Sequence, residues 1–386
     1  MTNLGHHNNH AQSASQLIKD AARITIKIGS ALLFNPDRGG LQTSWLAGLA
    51  SDVARLHKAG KQVIIVSSGA IALGRDEMGL PKGQIKLDEK QAAAATGQII
   101  LAQAWNDSLK AHGITSSQIL LAPDDTETRR KHLNARSTMA TLLNYGCVPV
   151  VNENDTITTY EIRFGDNDRL AARVATMMSA DLLILLSDID GLYDKNPRTH
   201  DNAAHIPVID DLSDEIMAMG ESANAEFASG GMATKLAAAR IATHSGVAMI
   251  ICDGTATAPL SALDEGAKSS IFNAQLAPST ARKNWIASAL DSAGSITIDE
   301  GAKKALSQGR SLLPAGVVAV DGPFERGDLI DVLDQNNKMI ARGLSAYSAS
   351  EAEALKGQKS TDFEAIIGYQ GRPELVHADD LVVINS

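Results

Sequence analysis

Many acidic and amide side chains are concentrated directly after one apolar run of this chain. Residues 152–155 have the sequence NEND and residues 165–168 the sequence GDND, which together supply four carboxylates and three carboxamides. The run 148–151 before them is typical of a buried strand, and open α/β sheets bind ligands at the carboxyl ends of their strands. Such groups can hold a substrate ammonium, orient lysines or coordinate Mg²⁺ through water. The simpler alternative is an acidic surface loop.

Groups suited to phosphate follow three other segments. The run 23–28 ends in Lys27 and then Gly29, where an ammonium and a close backbone can meet an anion. The run 62–66 leads into Ser68 and Gly69, a turn that offers amides and a hydroxyl. Residues 229–235, SGGMATK, open an Ala-rich helix whose first amides suit an anion. A strand-end lysine that reaches solvent, or a simple helix cap, would explain each segment taken alone.

Small and acidic residues also follow the run 182–186. Ser187 and Asp188 come directly after it, and they fit a nucleotide pocket, a metal site or an ordinary turn. The chain has neither the GxxxxGK[ST] spacing of a P-loop nor a GxGxxG after a strand. A Rossmann dinucleotide site is therefore not supported.

Short apolar runs alternate with helical patterns through the first three quarters of the chain. This alternation predicts an α/β fold, a mostly parallel sheet sandwiched by helices. After about residue 291 short β-like pieces separated by Gly, Asp and Asn predict a small β-rich, barrel-like domain. We therefore expect a disordered leader at 1–22, an α/β domain at 23–280 and a β-rich domain at 291–386, with the boundary between Pro278 and Gly294.

Bulk composition narrows the function classes. The 386 residues carry a formal net charge of −10, which argues against nucleic acid or an anionic membrane as a general partner. Aromatics are only 4%, so an aliphatic core is expected. The two cysteines suggest buried thiols in a reducing compartment, and no segment resembles a membrane span or a signal peptide. These features predict a cytoplasmic protein. The leader histidines lack obvious partners for a metal.

Together the motifs resemble the amino-acid kinase family, most closely the members that phosphorylate glutamate. The resemblance covers residues 23 to 386 and rests on a set of motifs in unbroken order: KIGS (27–30), SSGAIALG (67–74), the helix around 94–98, LNARST (133–138), NEND, GDND, SDIDGLYDKNPR (187–198) and SGGMATK. Segments 296–302, 311–317, 324–330 and 341–348 resemble a PUA domain. Ser67, Ser187 and Ser229 stand where the family pattern has Thr, a change that keeps the hydroxyl.

The resemblance implies transfer of the γ-phosphoryl group of MgATP to the side-chain carboxylate of L-glutamate, the first step of proline biosynthesis. A carboxylate nucleophile has a pKa of about 4.3 and needs no general base at neutral pH. Catalysis must instead align two anions and offset their repulsion. No residue is expected to bind the metal directly, because Mg²⁺ would be held by ATP phosphates and water.

The resemblance also assigns roles residue by residue. Lys27 and Lys235 would contact the transferring phosphoryl group and the β-phosphate, with Asp168 organising them. Asp155 would bind the glutamate ammonium, while Ser68 and Asn167 would face carboxylate oxygens. Backbone amides would come from Gly29, Gly69 and Gly231. The nucleotide would be lined by Ser187, Asp188 and the loop Ser229, Gly230, Gly231, Met232, Ala233, Thr234 and Lys235.

Partners follow from the same resemblance. It implies inhibition by proline, tuned by the loop 124–128 and by Glu161, a homo-oligomer (dimer or tetramer), and hand-over of the product to glutamyl phosphate reductase. Other readings remain: a kinase for aspartate, acetylglutamate, carbamate or a nucleoside monophosphate, a non-catalytic amino-acid sensor, or an RNA-binding protein acting through the PUA domain. Residues 291–386 contain 9 Lys and Arg against 15 Asp and Glu, which makes nucleic acid an unfavoured ligand.

Overall fold

A computed structural model of the chain describes residues 13–34, 40–81, 83–158, 167–222, 231–274, 280 and 292–384. These residues divide between two compact units, described separately below. The first comprises Met1–Thr126 and Arg136–Ala277, and the second comprises Glu127–Ala135 and Pro278–Ser386.

An eight-stranded sheet forms the centre of the first unit within the described residues. Its strand order is β3-β4-β2-β1-β5-β9-β10-β8, and every neighbouring pair is parallel except β9 with β10. The bounds are β1 Arg23–Ile28, β2 Gln62–Ser67, β3 Ser116–Leu121, β4 Val148–Glu153, β5 Leu182–Ser187, β8 Val208–Ile209, β9 Ala248–Asp253 and β10 Ser269–Phe272, while β6 Leu192–Tyr193 and β7 His205–Ile206 form a separate antiparallel pair. The predicted mostly parallel α/β sheet is confirmed.

Helices connect these strands. Their bounds are α1 Ala14–Asp20, α2 Ser30–Leu33, α3 Thr43–Lys58, α4 Ala70–Glu77, α5 Leu87–Lys110, α6 Pro123–Glu127, α7 Arg129–Asn144, α8 Asn167–Met177, α9 Asp214–Ser222, α10 Met232–His244 and α11 Pro259–Asp264. The central strands are aliphatic and buried along their length, as in β5, whose six residues are all buried. A strand covered on both faces has no solvent-facing side, which explains the continuous apolar runs in the sequence. No helix in the described ranges is both long and apolar enough to span a bilayer.

Helices α4 and α5 pack in direct backbone contact through two glycines. A Cβ added to Gly97 would lie 1.8 Å from the carbonyl oxygen of Ala70, and one added to Gly74 would lie 1.8 Å from that of Ala93. Only glycine permits such an approach without moving a helix. This contact matters to the site because α4 begins at the Ser68–Gly69 turn and α5 carries Gln98.

The second unit is rich in strands. Its elements are β11 Gly294–Ile298, α12 Glu300–Ser307, β12 Val317–Asp321, β13 Leu329–Leu333, β14 Met339–Leu344, α13 Ala349–Leu355, α14 Phe363–Ile367 and β15 Leu381–Val383. The strands form a five-stranded sheet in the order β12-β11-β13-β14-β15, in which β11 and β13 pair in parallel and the other pairs are antiparallel. Buried aliphatic residues and the aromatic pair Tyr347–Phe363, packed edge to face, form its core. The predicted separate β-rich region is confirmed.

Two expectations need correction. The disordered leader does not extend to residue 22, because α1 is a helix capped by Ser13 that buries Ala14 and Ile18. Residues 124–128 are largely the short helix α6 and not a loop. The division into units begins the C-terminal segment of the second unit at Pro278 and also assigns 127–135 to that unit.

Candidate active site

The polar residues singled out in the sequence follow adjacent parallel strands. In the sheet, β4, β2, β1 and β5 are consecutive neighbours. Ile28 of β1 lies opposite Ser67 on one side and opposite Leu186 on the other. Because parallel strands end at the same edge, Lys27, Ser68, Asn152 and Ser187 are brought to one edge although they are far apart in sequence.

A buried carboxylate joins the two predicted catalytic lysines. Asp168, in the first turn of α8, is fully buried. Its Oδ1 lies 2.5 Å from Lys27 Nζ on β1, and its Oδ2 lies 3.3 Å from Lys235 Nζ on α10. Both lysines are also buried, with 6% and 5% exposure. The structure therefore brings Lys27, Asp168 and Lys235 into one cluster.

The electrostatics of this cluster favour an anionic ligand. Burial by itself raises the pKa of Asp168, but the neighbouring ammonium groups of Lys27 and Lys235 outweigh that effect and hold its pKa below the usual range. The carboxylate is therefore ionised at neutral pH. It is shared by the two ammonium groups. A phosphate oxygen near them would be attracted by both cations.

The start of α10 contributes to the same cluster. Gly231 is its N-cap, with extended backbone, and Thr234 Oγ1 lies 2.9 Å from Asp168 Oδ2 and 2.7 Å from the Gly231 carbonyl oxygen. This places the positive end of a 13-residue helix dipole beside the lysines, an arrangement that binds anions. The predicted nucleotide residues Ser229 and Gly230 lie outside the described residues, whereas 231–235 are described.

A second polar group is a chain of three amide side chains, Gln98, Asn152 and Asn167, which we call the amide chain. Asn152 Nδ2 donates to Gln98 Oε1 at 2.8 Å, and Asn167 Nδ2 lies 2.8 Å from Asn152 Oδ1. Asn167 Nδ2 also lies 2.7 Å from the Ser67 carbonyl oxygen and 2.9 Å from Ser68 Oγ. The amide chain thus connects α5, β4, the start of α8 and the end of β2.

This geometry bears on the expected roles of Ser68 and Asn167. Donation from Asn167 to a substrate carboxylate would require it to give up one of its present acceptors. Ser68 Oγ, by contrast, accepts from Asn167 and so keeps its own O–H group to donate. Ser67 is anchored from the other side, because the fully buried Trp105 donates its indole N–H to Ser67 Oγ at 3.0 Å.

The predicted nucleotide residues after β5 are held by an arginine. Arg198 donates to Asp188 Oδ2 at 2.6 Å, and Ser187 Oγ lies 3.2 Å from Asp188 Oδ1. Partial burial raises the pKa of Asp188, but the hydrogen bond from Arg198 more than offsets it and the pKa lies below the usual range. Asp188 is therefore an ionised, oriented carboxylate at the sheet edge.

The remaining predicted residues lie in the connections after the strands. Gly29 is the N-cap of α2, and Gly69 is the N-cap of α4 with φ of 104°, a left-handed conformation that favours glycine. Asp155 is half-buried in the turn after β4. Glu161, predicted to tune inhibition, is outside the described residues. In the part of the chain that is described, no three His, Cys, Asp or Glu side chains are grouped so as to hold a metal ion.

Several residues of the site received no role from sequence alone. Asn152 and Gln98 belong to motifs quoted above, but their hydrogen bond joins α5 to β4 across more than fifty residues of sequence. Trp105 lies seven residues beyond Gln98 on α5, and its indole N–H group was the one hint that a buried partner must exist. Arg198 pairs with Asp188, ten positions earlier in the chain.

Comparison with known families gives two matches in chain order. Residues 22–253 match the model of the amino acid kinase family, and residues 294–367 match that of the PUA domain. The first match alone spans more than half of the chain.

Curated relatives match over nearly the whole chain. A glutamate 5-kinase of Bradyrhizobium diazoefficiens is 54% identical over 370 residues, which is 96% of this chain and 99% of that protein. A glutamate 5-kinase of Brucella ovis is 54% identical over 367 residues, or 95% of this chain and 97% of that protein. Similarity of this extent includes both units and every motif described above.

Solved structures match the chain more distantly. UMP kinase from Ureaplasma parvum is 17% identical and covers 65% of this chain and 98% of its own, with a TM-score of 0.46. Carbamate kinase from Giardia lamblia bound to AMP-PNP is 16% identical and covers 66% of this chain and 99% of its own, also with a TM-score of 0.46.

Proposed function

The chain belongs to the amino acid kinase family and ends in a PUA domain, and on this basis we propose that it phosphorylates the side-chain carboxylate of L-glutamate with ATP. The observation that carries the proposal is the buried Lys27–Asp168–Lys235 cluster at the edge of the parallel sheet. It offers two preorganised cations where two anionic reactants must meet. The identity of the relatives, glutamate 5-kinases over both units, points to the acceptor.

The reaction proposed is an in-line phosphoryl transfer. An oxygen of the glutamate γ-carboxylate forms a bond to the γ-phosphorus of ATP, and the bond from that phosphorus to the β–γ bridging oxygen breaks. The bonding electrons leave with ADP, so the products are glutamyl 5-phosphate and ADP and no proton is transferred. The site accordingly needs charge and alignment and no general base.

Lys27 and Lys235 would stabilise the charge that develops on the transferring group and on the β-phosphate. Asp168 would not touch the substrate; it would hold the two ammonium groups in place. A preorganised contact of this kind is worth on the order of 10²–10³ in rate. Because both lysines are buried before any ligand arrives, little reorganisation is needed at the moment of transfer.

The nucleotide would lie over the start of α10 and the end of β5. Residues 231–235 offer backbone amides and Thr234, and Ser187 and Asp188 close the other side. Ser229 and Gly230 complete the loop by resemblance. Mg²⁺ suits this arrangement as an ion bound by ATP phosphates and water, since it prefers oxygen ligands and keeps several waters. When bound, it would offset phosphate charge.

The acceptor would lie at the ends of β2 and β4, with Ser68, Gly69, Asp155 and Asn167 around it. Aspartate, acetylglutamate, carbamate and nucleoside monophosphates are the competing acceptors within this fold. Two features support glutamate: relatives of that activity match both units, and Asn167, which directly precedes Asp168 of the lysine cluster, is hydrogen-bonded to Asn152 of the NEND segment.

Further properties belong to the same proposal. The product would enter proline biosynthesis in the cytoplasm through glutamyl phosphate reductase, and proline would inhibit by competing near the glutamate pocket, because both carry an α-carboxylate and a charged α-nitrogen. A dimer or tetramer is the proposed assembly. The PUA domain would serve regulation or assembly, since its acidic composition disfavours RNA.

Trapping the acyl phosphate tests the function. The purified chain is incubated with ATP, Mg²⁺ and glutamate in hydroxylamine, which should yield the γ-hydroxamate. The control reactions replace glutamate with aspartate, acetylglutamate, carbamate or UMP at equal concentration. The assignment fails if any of these gives more ADP release than glutamate, and the kinase reading fails if no acceptor supports ADP release above background.

A further inference from the structure

We propose that Asn167 presents its side-chain carbonyl oxygen to the α-ammonium group of the substrate, and that Gln98 and Asn152 are positioning residues that hold it in this orientation. The inference rests on the proposed phosphorylation of glutamate. It assigns to Asn167 the α-ammonium group of the substrate, where the resemblance implied a carboxylate oxygen, and it gives Gln98 a role in recognition of the acceptor.

The orientation of Asn167 is forced by a backbone group. A carbonyl oxygen can only accept hydrogen bonds, and the Ser67 carbonyl lies 2.7 Å from the Asn167 side chain. The atom facing it must therefore be Nδ2. Rotation of the amide by 180° would place two oxygens against each other.

The orientation of Asn152 is forced in the same way by a second backbone group. The N–H group of Glu153 donates to Asn152 Oδ1 at 2.9 Å, so this atom is an oxygen and its Nδ2 must point away. Oδ1 also accepts from Asn167, and Nδ2 donates to Gln98 Oε1. Two backbone groups, one at Asn167 and one at Asn152, thus determine the direction of every amide in the chain.

The consequence is that Asn167 has one unused polar atom. Both hydrogens of Nδ2 are directed at protein acceptors, whereas Oδ1 has no hydrogen-bond partner among the described residues. The residue is 9% exposed and its Oδ1 is not enclosed by protein, so a donor group of a ligand can reach this acceptor.

Glutamate at neutral pH offers few choices for that donor. Its two carboxylates only accept hydrogen bonds, and its α-ammonium is its one donor group. Asn167 Oδ1 can therefore pair with the ammonium and with no other part of the substrate. Ser68, whose O–H group remains available to donate, is the complementary partner for a carboxylate oxygen, and Asp155 would add charge on the ammonium side.

Three substrates that differ in single groups test this assignment. Glutarate lacks the α-ammonium of glutamate, and 4-aminobutyrate lacks its α-carboxylate. The apparent kcat/KM for each is taken from ADP release in the linear, sub-saturating range, so that weak substrates also give a value. The full-length variants are Asn167→Ala, Gln98→Met, which removes the acceptor for Asn152, and Gln98→Glu, which keeps one.

Gln103→Met is the matched control, because Gln103 lies on the same helix but is exposed and donates to Asp107 at 2.7 Å. We expect Asn167→Ala to lower kcat/KM about tenfold or more for glutamate and 4-aminobutyrate, and less than about threefold for glutarate. Gln98→Met should show the same pattern at about three- to tenfold, with Gln98→Glu close to wild type and Gln103→Met unchanged.

Each other outcome overturns part of the proposal. If Asn167→Ala lowers kcat/KM equally for all three substrates, Asn167 has a structural role only. If it lowers kcat/KM for glutamate and glutarate but not for 4-aminobutyrate, Asn167 binds the α-carboxylate instead. Equal effects of Gln98→Met and Gln98→Glu would remove Gln98 as a positioning residue. If the wild type phosphorylates glutamate normally, these results refute this inference alone; if it does not, the proposed function fails first.

Discussion

Replacing Asp168 with Asn should destabilise the α/β unit strongly, and removing Lys27 as well should recover much of the loss. The carboxylate is fully buried, contacts Lys27 Nζ at 2.5 Å and Lys235 Nζ at 3.3 Å, and accepts from Thr234 at 2.9 Å. Neutralising it leaves two buried ammonium groups that repel each other. Loss of one partner of a buried ion pair costs about 3–5 kcal/mol.

The expected shift is large enough to measure by calorimetry of the full-length chain. In a domain of this size, a loss of 1 kcal/mol lowers the melting midpoint by about 2–4 °C. A loss of about 3–5 kcal/mol should therefore lower the midpoint of the α/β unit by about 6–20 °C. The melting midpoint of the double variant Asp168→Asn with Lys27→Met should be well above that of Asp168→Asn alone, because the double variant no longer buries the Lys27 charge without its carboxylate. Asp107→Asn, an exposed change on α5, is the control and should shift stability by less than about 0.5 kcal/mol.

The pH dependence checks the same reasoning. Because the folded pKa of Asp168 lies below its unfolded value of about 3.9, its stabilising contribution is complete above that pH and declines as pH falls through the folded pKa. The stability difference between wild type and Asp168→Asn should be constant from about pH 5 to 8 and narrow below about pH 4. Two results would refute the idea that Asp168 holds the lysines. One is a double variant whose stability loss equals the sum of the losses of Asp168→Asn and Lys27→Met; the other is a stability difference between wild type and Asp168→Asn that widens as the pH falls.

Four further outcomes are expected. Lys27→Ala and Lys235→Ala should each lower kcat on the order of 10²–10³ with little change in the KM for glutamate, measured by hydroxamate formation; near-normal turnover would remove that lysine from the mechanism. Asp155→Asn should raise the KM for glutamate more than that for ATP, and equal effects would indicate misfolding or a metal role. Gly97→Ala should lower both the melting midpoint and activity, since its Cβ would lie 1.8 Å from a carbonyl oxygen of α4; an unperturbed variant would show that the helices move apart freely. Millimolar proline should raise the apparent KM for glutamate at sub-saturating concentration, and an unchanged KM would exclude competition.

Much of the fold could be derived from sequence because its signals are local. Aliphatic runs such as 182–186 lie between helical patterns, and that alternation suffices to predict a mostly parallel sheet. The β-rich C-terminal region was likewise visible in short runs separated by turn residues. The leader was misjudged because a helix as short as α1 has little periodicity to detect, and it is stable through burial of Ala14 and Ile18.

The chemistry of the site could also be inferred from sequence. A lysine before a Gly turn suits phosphate, and paired acid–amide segments suit an amino acid, wherever they occur. Which atoms meet was decided only by the tertiary structure. Lys27 and Lys235 are more than two hundred residues apart, and they share Asp168 because parallel strands end at one edge and α8 and α10 begin there. The amide chain depends on two glycines that let α4 and α5 touch and on backbone groups of Ser67 and Glu153 that set the direction of each amide. Hydrogen-bond direction is a property of positions in space, and no pattern along the chain contains it.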